Sequence, residues 1–130
     1  MVTIRQAEAA KLSELPSAFS FGPLELRPSE GFASASAIAL QLSVREFGLL
    51  MEPARNDGRI VRREELYAAV WGEPLRQGDR TVGVYVRRLR VKLSQALPTW
   101  SFIHTHVGFG YRFAPANQFE AGDAAPKRAF

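Results

Sequence analysis

The hydrophobic period of this chain switches at Ser43, and few folds accommodate such a switch. Before it, over residues 19–42, short apolar alternations (Leu24 and Leu26, then Ile38, Leu40 and Leu42) are punctuated by Gly22-Pro23, Pro28-Ser29 and Glu30-Gly31. A period of two broken by turn residues predicts three or four short antiparallel strands. After it, Ser43-Val44-Arg45-Glu46 has the form of a capping box, in which the serine hydroxyl and the glutamate carboxylate satisfy free amides at a helix start. Phe47, Leu50, Met51 and Ala54 then keep the spacing of a buried helical face. Strands followed by helices indicate an α+β fold.

Pro53 lies inside the first helical pattern, where it removes a backbone donor and crowds the preceding turn, so the helix is expected to end early or kink. Asn56-Asp57-Gly58 reads as a turn and Arg59-Ile60-Val61 as a brief extended link. A second helix over 63–71 buries Leu66, Val70 and part of Tyr67 or Trp71, and Gly72-Glu73-Pro74 stops it. After a loop over 72–78, Asp79 caps a third helix of about 80–96, closed by Pro98. Runs at 100–106 and 111–114, joined around Gly108-Phe109-Gly110, form a hairpin. The expected organisation is a flexible leader over 1–17, one domain over 18–114 and a disordered tail over 115–130, rich in Ala, Pro and charge.

The chain has 130 residues, enough for one domain of roughly 90–100 residues with short tails. No run of about 18 apolar residues is present, and charges interrupt residues 1–17, which excludes a membrane span and a signal peptide of the usual form. Cysteine is absent, which excludes disulfides and thiolate metal sites and fits a reducing cytoplasm. The formal charge is +4, but placement says more than the total. Arg80, Arg87, Arg88, Arg90 and Lys92 fall in one acid-free stretch of the third helix. Guanidinium forks suit bidentate recognition of phosphate and guanine.

Steps of about 100° per residue divide that helix into two faces. Val82, Val86, Leu89 and Leu93 fall together on the core side. Opposite them stand Arg80, Val84, Arg87, Arg88, Val91 and Gln95, with Arg90 on one flank and Tyr85 and Lys92 on the other. A solvated face would favour Glu and Lys paired four residues apart, and none occur here. Branched apolar groups beside guanidinium groups match a major groove, where thymine offers a methyl and guanine two acceptors. Tyr85, Arg90 and Lys92 on the flanks are placed for phosphates. A short helix, a loop, a basic helix and a hairpin with a Gly-rich tip form a winged helix-turn-helix, in which the hairpin over 100–114 is expected to reach the neighbouring minor groove or the backbone.

With Leu42-Ser43-Val44-Arg45-Glu46-Phe47, Gly58-Arg59-Ile60-Val61, Arg63-Glu64-Glu65-Leu66, Val70-Trp71-Gly72, Arg80-Thr81-Val82, Arg87-Arg88-Leu89-Arg90 and Gly108-Phe109-Gly110-Tyr111-Arg112-Phe113 in order, the chain resembles the DNA-binding domain of OmpR/PhoB-type bacterial response regulators. The resemblance implies a four-stranded N-terminal antiparallel sheet, three helices and a C-terminal β-hairpin wing. It implies that Val84 and Arg88 face bases, and that Arg80, Thr81, Tyr85, Arg87, Arg90 and Lys92 face phosphates. Thr105 would meet the backbone from the wing, which also carries His104, His106 and Val107. The loop with Glu73, Pro74, Leu75 and Arg76 corresponds to the segment presented to RNA polymerase. Two protomers, a dimer on DNA, would bind tandem direct repeats head to tail.

The sequence departs from the family pattern at several points. Gly83 stands where Asp is usual, Arg62 where a Ser or Thr cap is usual, Pro53 in place of a core Leu, and Val107 at the wing position often held by Arg. No receiver domain precedes the strands, so a partner or its own abundance is expected to regulate the chain unless it is a fragment. His104 and His106 share one strand face but lack a third ligand nearby, so no metal or other cofactor is expected. Glu64-Glu65 diverge on a helix and complement its dipole. Scattered Ser, His and Asp have no catalytic signature, so no enzymatic activity is expected. The sequence therefore indicates a sequence-specific double-stranded DNA-binding transcriptional regulator. The alternative is a winged-helix interaction module that docks on RNA polymerase or another regulator and binds DNA weakly.

Overall fold

The computed structural model describes residues 18–119, so the leader and most of the tail lie outside the described residues. The chain opens with β1 (Phe19–Phe21), β2 (Leu24–Arg27), β3 (Phe32–Ala35) and β4 (Ile38–Ala39), paired antiparallel in sequence order. The β1–β2 loop is Gly22-Pro23, and Gly22 has φ +62 beneath the ring of Trp100. Any side chain at that position would collide with the indole. Leu24 and Leu26 point into the core as the alternation predicts, but Ile38 is 72% exposed. β4 has two residues at the sheet edge, too few for a period to fix its inward face.

The helices are α1 (Val44–Ala54), α2 (Arg63–Trp71) and α3 (Thr81–Ala96). Ser43 and Glu46 form the capping box, with Glu46 N–H donating to Ser43 Oγ at 3.1 Å and Ser43 N–H to Glu46 Oε1 at 2.9 Å. Pro53 occupies the last turn, so α1 ends one residue later without a break. Leu49, Leu50, Met51 and Ala54 are buried while Phe47 is only half-buried. α1 packs on α2, α3 and the C-terminal sheet at once, so its apolar arc is wider than one face. In α2, Leu66 and Tyr67 are buried and Val70 is half-buried. Gly72 ends α2 in the left-handed conformation, φ +78.

Three strands close the domain: β5 (Ile60–Val61), β6 (Trp100–His106) and β7 (Gly110–Asn117), in spatial order β5-β7-β6. The link at 59–61 is therefore a strand, pairing Ile60 with Arg112 and Val61 with Tyr111. Hairpin pairing also runs three residues beyond Ala114, to Trp100–Asn117, and Gln118 N–H donates to Thr99 O at 2.8 Å. Pro115 is exposed on β7 and does not interrupt it. Phe102 and Phe113 from this sheet join Leu24, Leu26, Leu49, Leu50, Leu66 and Leu89 in one core. The result is an α+β winged helix-turn-helix with α3 lying across α1 and against β6.

Candidate nucleic-acid interface

α3 is positioned by its own inward stripe. Val82, Val86, Leu89 and Leu93 are all buried, which turns the opposite side outward. At its start the Asp79 carboxylate accepts the Thr81 backbone N–H at 2.9 Å and also the Thr81 hydroxyl. The hydroxyl bond, then the amide bond, hold the Asp79 carboxyl below its ordinary range. The Thr81 hydroxyl hydrogen, expected at a phosphate, is here engaged by Asp79, while the N-cap residue itself is Arg80, whose side chain makes no cap bond.

On the outward side Val84 is 46% exposed and Val91, Arg80, Arg87 and Arg88 are exposed as well. Among the described residues none of these three arginines has a carboxylate within ion-pair distance; the cations that do are Arg27, Arg55, Arg62 and Lys92. Arg88 is not loose, however. Its guanidinium lies over the Tyr85 ring at 5.2 Å, Tyr85 meets Trp71 edge-on at 5.2 Å, and Trp71 stacks on Tyr67 at 4.8 Å. This ladder from α2 to α3 limits the directions Arg88 can take. Its sequence signal is the spacing Tyr67, Trp71 on one helix and Tyr85, Arg88 on the next. Helical periodicity by itself gives Trp71 a core role alone.

Two further cations of α3 are bonded within the protein. Lys92 Nζ donates to Glu46 Oε1 and to Gln41 O, each at 2.7 Å, so this ammonium joins α3 to the α1 cap. Burial alone would raise the Glu46 carboxyl, but the Lys92 hydrogen bond and the Ser43 amide outweigh it and bring it below the ordinary value. Arg90 donates from Nε to Ile103 O at 3.1 Å and from Nη2 to Thr105 Oγ1 at 2.6 Å. Burial lowers its pKa, yet an arginine remains charged. Arg90 thus ties α3 to β6, and Thr105, which accepts that bond, keeps its own hydroxyl hydrogen free to donate.

In the wing, His104 Nε2 lies 2.7 Å from Ala114 O, so Nε2 carries the proton, and burial holds its pKa below the ordinary value. His106 Nε2 accepts from Arg112 Nε at 3.3 Å. Val107 stands fully outward at the tip. In the α2–α3 loop Glu73, Pro74 and Arg76 are exposed, whereas Leu75 packs against the core.

Residues 38–113 match the family described as transcriptional regulatory protein, C terminal. The chain belongs to this family of OmpR/PhoB-type DNA-binding domains. Sensory transduction protein RegX3 of Mycobacterium leprae is 33% identical over 91 residues, which is 70% of this chain and 46% of that protein. The DNA-binding domain of Klebsiella pneumoniae RstA, solved in complex with the RstA box, has TM-score 0.68 and 31% identity, covering 76% of this chain and 98% of that one. That of CpxR from E. coli has TM-score 0.69 and 30% identity, covering 76% and 96%. The chain spans less than half the length of the curated relatives it matches. It is thus a DNA-binding domain of the type found in response-regulator transcription factors, a family that is not enzymatic. Among the described residues no helix is long and apolar enough to cross a membrane.

Proposed function

We propose that this domain binds double-stranded DNA sequence-specifically, with α3 in the major groove. Val84 and Arg88 read base edges, the valine against a thymine methyl and the arginine against guanine. Arg80 and Arg87 hold phosphates, Tyr85 orients Arg88 and borders the backbone, and the Thr105 hydroxyl donates to a phosphate from the wing. Two protomers bind tandem repeats head to tail, and the loop carrying Glu73, Pro74 and Arg76 faces RNA polymerase. The observation that carries this reading is the outward face of α3, where exposed valines alternate with arginines that lack carboxylate partners among the described residues.

A selection on random duplexes at two salt concentrations tests it. About two phosphates neutralised per protomer, by Arg80 and Arg87, give a slope of log affinity on log salt near −1.8. Arg88→Ala is expected to cost about 1–3 kcal/mol and to relax one base position. A selected motif unchanged by that substitution refutes the assignment. Weak and sequence-blind binding would instead favour the docking module.

A further inference from the structure

The wing ends in a point built from apolar side chains. Beyond the last hairpin pair, His106 with Gly110, only Val107, Gly108 and Phe109 remain. Val107 is 88% and Phe109 72% exposed. The turn itself is fixed: Phe109 N–H donates to His106 O at 2.8 Å, and Gly108 takes φ +82 as a tight turn requires. Below it Gly110, φ +148, lets β7 close on the Val61 carbonyl. The hairpin is tied to α3 by the Arg90 bonds to Ile103 and Thr105, so the tip holds its place relative to the basic helix. Arg62, Arg63 and Glu64, at the corner entering α2, line the same cleft as Val107 and Phe109; Glu64 pairs with Arg62 at 3.6 Å, and Arg63 is left without a carboxylate partner among the described residues.

An apolar tip beside cations suits a polyanion whose interior is apolar. A duplex presents phosphates at its rim and the faces of stacked bases inside, and phenyl or branched side chains enter the minor groove by parting one base step. A hydrophobic pocket on a protein would satisfy Phe109, but it leaves Arg63, which meets no carboxylate among the described residues, without a role. Resting on the placement of α3 in the major groove, we propose that the wing tip wedges Phe109, flanked by Val107, into the adjacent minor groove, opening a base step and bending the duplex. Arg63 holds a phosphate beside the opened step, while Arg62 stays paired with Glu64. Pyrimidine–purine steps, which unstack most readily, are preferred there.

The test uses the full chain on a duplex recovered from the random selection. The bend is read by energy transfer between dyes at the two ends. Unstacking is read by the fluorescence of 2-aminopurine placed in turn at each step under the wing. The wild type is expected to bend the duplex by about 20° or more and to brighten one step. Phe109→Ala, which leaves the fold intact at so exposed a position, abolishes the brightening, reduces the bend and weakens binding roughly tenfold. Phe109→Leu retains both signals. Chemical protection of the major groove stays unchanged in either variant. A wild type that protects the major groove without bending or brightening overturns the wedge alone, as does a Phe109→Ala variant indistinguishable from wild type. So does a Phe109→Ala variant that loses only a protein partner. Absence of any major-groove protection overturns the α3 reading and the wedge with it.

Discussion

Replacing Lys92 with Met separates two roles for one cation. In the fold its ammonium meets a Glu46 carboxylate whose side chain is only 5% exposed, while Lys92 itself is 39% exposed. Removing one partner of a fully buried pair costs about 3–5 kcal/mol, whereas an exposed pair is worth under about 1. Glu46 keeps its bond from the Ser43 amide, and Lys92 is reached by water, so a loss of about 2 kcal/mol is expected. For a domain of this size that lowers Tm by roughly 10 °C. The sign with pH follows from Glu46. Its folded pKa is depressed, so the pair's stabilisation is present above the ordinary value of 4.5 and is lost as pH falls through the folded value. Melts of Lys92→Met should therefore differ from wild type most at about pH 7 and converge in acid. The salt slope of DNA binding should stay the same. An unchanged Tm with a slope shallower by about 0.9 would refute the argument and return Lys92 to the phosphate set.

Gly110→Ala should lose about 3 kcal/mol in urea unfolding, because the backbone there has φ +148 and a methyl would strike the Val61 carbonyl; wild-type stability would contradict this. The β3–β4 loop places Ser36 and Ala37 at φ +51 and +68, so the double substitution Ser36→Asn with Ala37→Gly should gain about 1 kcal/mol in a thermal melt. Burial depresses the His104 pKa, so the unfolded chain binds its proton first as pH falls. Its contribution is complete above its ordinary value of 6.5 and declines below it, and His104→Gln should flatten Tm between about pH 7 and 5.

The parts of this fold legible in sequence are those written in short-range chemistry. Ser43 and Glu46 announce α1, Asp79 announces α3, and the four inward residues of α3 follow from periodicity alone. What escapes depends on distant pairing. β5 has two residues, too few to show a period, and exists because β7 supplies its partners some fifty residues later. The tail residues 115–117 look like loop by composition yet are held by β6. Periodicity also gives the direction of a side chain but not what waits there. It puts Lys92 and Arg90 on the flanks of α3 and carries no trace of Glu46 on α1 or Thr105 on β6.

The acid-free run of cations on α3 thus divides by distance from the core stripe. Lys92 and Arg90 sit beside Leu89 and Leu93, close enough to reach the α1 cap and the wing, and there they orient the helix between them. Arg80, Arg87 and Arg88 lie farther round, where among the described residues no carboxylate meets them. The division has an energetic consequence for recognition. Cations already bonded within the protein fix the geometry before DNA arrives, so the remaining three need not supply that ordering on binding. In the proposed binding mode affinity then draws on few phosphate contacts, which gives a shallow salt dependence and leaves a larger share of discrimination to Val84 and Arg88.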